Sequence, residues 1–121
     1  MLSGRFDVLL DRLVFKFNNV LRGFNKGNPR YVARLEVSDF SSMLPDRRIL
    51  SFTVYVSRRD KRVEDDVEDD VVIQFYYDLD SMEGVFSGLY CDVCWLSPED
   101  AMEILDLARR LVSVLYVGVV V

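Results

Sequence analysis

The chain has no histidine and, in 121 residues, only two cysteines and one glutamine. Without histidine the usual general base is missing, and so are the Ser-His-Asp and Cys-His nucleophile arrangements and metal sites built on imidazole. The two cysteines, Cys91 and Cys94, make a Cys-x-x-Cys spacing inside GLYCDVCWLSPED, residues 88–100. In a strand, that separation sends the side chains to opposite faces. A zinc site would need two further ligands, and the chain has no third cysteine to add. A thioredoxin-like pair sits at a helix start, whereas this one precedes the helix cap. The cysteines therefore read as small apolar fillers.

Other chemistry-bearing patterns are equally scarce. The chain has no glycine-rich phosphate loop and no acid-x-Lys nuclease pairing. DLDSMEG, residues 78–84, approaches a calcium loop, but Gly84 falls at its seventh position instead of the sixth, and Leu89 stands where a bidentate Glu belongs. A polar hairpin turn is the better reading. The expectation is a protein that is not an enzyme and uses no cofactor or metal.

Long apolar runs are also missing. LVSVLYVGVVV, residues 111–121, carries no charge, but eleven residues fall short of the roughly 20 that span a bilayer. It reads as an apolar tail packed on the body or on a second subunit. At the other end, Arg5 and Asp7 interrupt any signal-like apolar run. The expected location is the cytoplasm, with no membrane partner.

Half of the residues are apolar and the net charge is −5, as suits one folded domain, here taken as residues 1–121. The charge is distributed unevenly. Residues 1–62 carry 13 Lys and Arg against 6 Asp and Glu, and residues 63–121 carry 2 against 14. Such asymmetry suggests a basic surface for an anionic partner, unless folding interleaves the halves. Twelve of the fifteen cations are arginine, whose planar fork suits phosphates and stacking, and the composition leans towards heat adaptation. VEDDVEDDV, residues 63–71, reads as a solvated loop, or as an internal competitor for the basic surface.

Periodicity supplies the elements. RFDVLLDRLVFKFNNVLRGF, residues 5–24, spaces Phe6, Leu9, Leu10, Leu13, Phe17, Val20, Leu21 and Phe24 by threes and fours, which predicts an amphipathic helix. Arg5, Arg12, Lys16 and Arg22 lie opposite that stripe, near Phe15, and Lys26 and Arg30 continue the basic margin. Four strand-like runs follow, at 31–38, 48–58, 71–79 and 88–96, with no room for a crossover helix between them. SPED then signals a helix start: Ser97 as cap, Pro98 in the first turn and Asp100 as a capping-box acid. Ala101, Ile104, Leu105, Ala108, Leu111, Val112 and Leu115 form its apolar face. The fold class expected is α+β, an N-terminal helix, a four-stranded antiparallel meander and a C-terminal helix, with the helices on one sheet face.

Alternation then sorts the strands. Ala33, Leu35 and Val37; Leu50, Phe52, Val54 and Val56; Val71, Ile73, Phe75 and Tyr77; and Leu89, Cys91, Val93 and Trp95 form the core side. The opposite side presents Tyr55, Tyr76 and Tyr90 on three strands, with Gln74 between them and Arg34 and Arg59 at the margins. Rings beside guanidinium groups suit single-stranded nucleic acid, because bases stack on rings while cations track phosphates. The same face could instead be buried in a homodimer or against another protein, or tyrosines could simply be stabilising a half-exposed sheet.

This element order, with scattered arginines and a Tyr/Phe-lined surface over most of residues 5–115, resembles the ThermoDBP-related proteins of hyperthermophilic archaea. The resemblance implies sequence-tolerant binding of single-stranded DNA or RNA in an aromatic cleft flanked by basic side chains. It assigns stacking to Tyr55, Tyr76 and Tyr90, and phosphate contacts to Arg34, Arg58, Arg59 and Lys61. The chain lacks the long C-terminal zipper of the larger members, so the resemblance leaves open the mode of its expected homo-oligomerisation.

Overall fold

A computed structural model describes residues 4–39, 48–59, 71–78, 80, 81, 83–90 and 96–117, with side chains from residue 10 to residue 115 among these. Helix α1 covers Gly4–Gly27 and α2 covers Pro98–Val117; the strands are β1 (Tyr31–Asp39), β2 (Ile49–Arg58), β3 (Val71–Asp78) and β4 (Glu83–Tyr90). The strands pair antiparallel in the order β1-β2-β3-β4, the meander expected from a sequence in which no gap between strands reads as a crossover helix. No described helix is long and apolar enough to cross a membrane.

Both helices pack on one sheet face. Leu13, Phe17 and Leu21 from α1, and Ile104, Leu107, Ala108, Leu111 and Leu115 from α2, join Tyr31, Ala33, Leu50, Phe52, Val54, Val56, Val71, Ile73, Phe75 and Tyr77 in a single buried cluster. Phe17 is central: its ring meets Phe52 edge-on at 5.1 Å and Phe75 at 5.6 Å. Fully burying side chains of this size contributes about 1.5–3 kcal/mol each.

Several boundaries and faces differ from the expectation. The fourth strand runs Glu83–Tyr90 instead of 88–96, so Gly84 and Gly88 both lie inside it. Gly84 is needed because a Cβ there would sit 2.3 Å from Leu115 Cγ: strand and helix approach too closely for a side chain. Phe75 pairs with Phe86 but Gln74 with Gly88, so Ser87 is an extra residue and β4 carries a bulge. Residues 91–95, with both cysteines and the core places given to Cys91, Val93 and Trp95, lie outside the described residues. On α2, Leu107 is buried and Leu105 is 58% exposed, because the stripe follows positions 104, 107, 108, 111 and 115. On β1, Val37 is exposed and Tyr31 is buried.

The junction of α1 and β1 is tied by amides. Asn28, buried, accepts from the backbone N–H groups of Arg30 and Tyr31 at 2.9 and 2.8 Å and donates to Glu103 on α2. Its neighbour Asn25 bonds both the N–H and the C=O of Ala33. Ser97 caps α2 as expected, accepting from Asp100 N at 3.1 Å. The carboxylate of Asp100, instead of completing a capping box, is ion-paired with Arg30.

Candidate nucleic-acid interface

The register of the meander places the second face in rows. Arg34 pairs with Tyr55, Tyr55 with Val72, and Val72 with Tyr90, so these four cross the sheet in one line. The next row is Glu36, Thr53, Gln74 and Gly88, and the third is Ser38, Ser51, Tyr76 and Val85. The three tyrosines singled out from alternation therefore do share a face, two of them in one row.

Their environments differ. The Arg34 guanidinium lies 4.3 Å from the Tyr55 ring centroid, in cation–π geometry, and its Nη1 is 3.9 Å from a Glu36 carboxylate oxygen. Tyr55 and Tyr76 are half-buried, whereas Tyr90 is 54% exposed. The hydroxyl end of the Tyr90 ring lies over Gly88, where an added Cβ would meet the hydroxyl oxygen at 3.0 Å and the ring carbon Cζ at 3.1 Å. The glycine thus makes room for the Tyr90 side chain to lie back along the edge strand.

Between the tyrosine rows runs a closed ring of hydrogen bonds. Thr53 Oγ1 donates to Gln74 Oε1 at 2.8 Å, and Gln74 Nε2 donates to Ser51 Oγ at 2.5 Å. Ser51 and Thr53 hydroxyls are 3.3 Å apart, and since Thr53 has spent its proton on Gln74, Ser51 is the donor. Gln74 also donates to Phe75 O at 3.3 Å. Both hydroxyl residues are buried, so the chain's one glutamine is committed to its own sheet. Periodicity placed Gln74 between the tyrosines but could not show this closure, which depends on cross-strand register.

The arginines separate on folding. Of the candidate arginines Arg34, Arg58 and Arg59, Arg34 alone lies among the tyrosines. Arg58 pairs with Tyr31 at the end of β2 and so alternates to the helix side. Arg59 turns the same way: its Nε is 3.1 Å from both Asn28 O and Tyr31 O, and its Nη2 donates to Asn25 O at 2.5 Å. The bond to Asn25 O caps the end of α1 and the other two tie the connection to the start of β1, a task for which a rigid fork suits better than an ammonium. Lys61 and the acidic run 64–70 lie outside the described residues. Arg30, Arg58 and Arg59 meet at the sheet end where β1 begins and β2 ends, next to the Arg34 row and the start of α2.

Acidic groups also occupy the tyrosine face. Glu36 alternates onto it beside Arg34 and Asp78 onto its far end, and Asp78 Oδ1 accepts from Asp80 N at 2.9 Å and from Ser81 N at 3.3 Å in the β3–β4 turn. Asp78 pairs with Glu83 across that turn, which is thus a hairpin. Among the described residues no group of three Cys, Asp or Glu side chains comes together to hold a metal ion. No protein-family model, no curated protein and no solved structure matches the chain.

Proposed function

We propose that the protein is a non-enzymatic, sequence-tolerant binder of single-stranded DNA or RNA. The observation that carries this reading is the row Arg34, Tyr55, Val72, Tyr90, which joins an exposed ring and a guanidinium-backed ring on one open face. Bases stack on such rings at about 1–3 kcal/mol each without regard to sequence. Phosphates would be met by Arg34 on the face and by the arginines at its end. A fluorescence titration with a single-stranded oligonucleotide at two salt concentrations tests it. Binding that weakens steeply with salt is expected; no binding at low salt, or binding indifferent to salt, sinks it.

A second reading has a specific observation in its favour. Among the described residues, Arg34 on this face is matched by Glu36, and the central polar groups are already satisfied by the Ser51, Thr53 and Gln74 ring. Covering it with a second copy or another protein would leave little unpaired, and exposed Val32, Val85 and Tyr90 would supply apolar contact. Light scattering separates the two: a stable oligomer dispersed by Tyr55→Ala supports the protein interface, and a monodisperse monomer counts against it.

A further inference from the structure

The end of α1 and the first half of α2 leave a groove of about 430 Å³ between them, within the range of small-molecule sites, about 300–1,000 Å³. It lies on the helix side of the sheet, away from the tyrosine face. Gly23, Phe24 and Gly27 make its α1 wall, and Met102, Glu103 and Leu107 stand on its α2 wall. The two glycines are four residues apart and so share one side of their helix. Glycine inside a helix is destabilising relative to alanine, yet here neither backbone nor packing requires it. Neither glycine has a left-handed φ, and a Cβ built on either would meet no atom within 4 Å. The glycines therefore keep open a space that the described residues do not fill, bordered by an aromatic ring, a leucine and a methionine that is 70% exposed.

The charges along the groove are unequally matched. Asp106 Oδ1 is 2.8 Å from Arg109 Nη2 and its Oδ2 is 2.9 Å from Arg110 Nε, so that carboxylate is answered twice. Glu103, one turn earlier, is not paired with a cation among the described residues; its Oε2 accepts from the side-chain amide of Asn28. Asn28 is itself fixed, because its Oδ1 holds the N–H groups of Arg30 and Tyr31. One carboxylate is thus held at the wall of an apolar groove. An anion would be repelled there, and an uncharged apolar body would cover the carboxylate without pairing it.

We propose that the groove binds a small primary amine with an apolar body, its ammonium on Glu103 and its body against Phe24, Leu107 and the bare backbone of the two glycines. The site uses nothing from the tyrosine face, so its fate is separate from that of the nucleic-acid reading.

Calorimetric titration at neutral pH and constant ionic strength tests it, with phenethylamine and with phenethyl alcohol, which carries a hydroxyl in place of the ammonium. The proteins are the unaltered chain, Glu103→Gln and Gly23→Leu, each checked by circular dichroism. Saturable binding of phenethylamine is expected, at least about threefold tighter than that of the alcohol and at least about threefold weaker in Glu103→Gln. The glutamine still accepts from Asn28, so its fold is kept. Gly23→Leu should hold or raise the melting temperature, since leucine is the better helix former, and lose the amine by occupying the groove. Absence of saturable amine binding overturns the proposal. So does equal affinity for amine and alcohol, undiminished binding in Glu103→Gln, or undiminished binding in a folded Gly23→Leu. Should Gly23→Leu not fold, the alcohol and Glu103→Gln comparisons decide.

Discussion

The side-chain amide of Asn25 pairs with the backbone of Ala33 as a neighbouring strand would. Its Nδ2 donates to Ala33 O at 3.0 Å and its Oδ1 accepts from Ala33 N at 2.7 Å. β1 is an edge strand, and unpaired edge groups recruit other chains. Asn25, with Arg59 bonding Tyr31 O nearby, closes part of that edge from the end of α1. Asn25→Ala should therefore destabilise the fold by about 1–3 kcal/mol and increase aggregation on heating. A denaturant melt and light scattering check both, and an unchanged midpoint would show that the pairing contributes nothing.

Tyr77 should behave in the opposite way. It is fully buried, and its hydroxyl has no hydrogen-bond partner among the described residues. Tyr77→Phe removes an unsatisfied polar atom and should leave stability unchanged or raise it by about 1 kcal/mol; a lower melting temperature would mean that the hydroxyl has a partner after all.

The same hydroxyl gives a pH dependence. Burial raises its pKa above the ordinary 10.0, so the folded state favours the neutral form. Its contribution is full below the unfolded pKa and is lost as pH rises towards the folded one. Stability should fall above about pH 10, and less steeply in Tyr77→Phe. Asp106 acts at the acid end: its hydrogen bond to Arg109, aided by the Arg110 charge, lowers its pKa. Its contribution is present above the unfolded carboxylate pKa and is lost as pH falls through the folded value. Thermal melts across pH resolve the two limbs.

Gly84→Ala should cost more than a typical surface change. The new methyl would strike Leu115 at its Cγ branch point, which cannot swing aside as a chain end can. Overpacking of this kind costs about 1–3 kcal/mol. Wild-type stability in Gly84→Ala would show that β4 and α2 can separate without loss.

On the nucleic-acid reading, Tyr90→Ala should weaken oligonucleotide binding about 5- to 150-fold, the equivalent of one lost stacking contact. Its exposure predicts little change in melting temperature. Equal loss of binding and of stability would assign the ring to packing instead. Gln74→Leu, in contrast, leaves the hydroxyls of Ser51 and Thr53 without their partner and should destabilise the sheet before it affects binding, which a melt and a titration on the same sample distinguish.

Local pattern was enough to place most of the architecture. Spacings of three and four define both helices, alternation puts Phe52, Val54, Ile73 and Phe75 on one side and Tyr55 and Tyr76 on the other, and SPED marks the start of α2 at Ser97. Each depends on side-chain periodicity within one segment, a property of the chain before it folds. What periodicity could not supply depends on contacts between distant segments. Gly84 and Gly88 resemble strand breakers until Leu115 and the Tyr90 ring are seen to occupy the space beside them. Arg58 and Arg59 resemble companions of Arg34 until strand register turns one to the helix side and three carbonyls capture the other. Asp100 fits a capping box by spacing, yet pairs with Arg30 because the α1–β1 junction brings that charge to the start of α2. Long polar side chains follow the partners that packing brings within reach, and those partners lie tens of residues away.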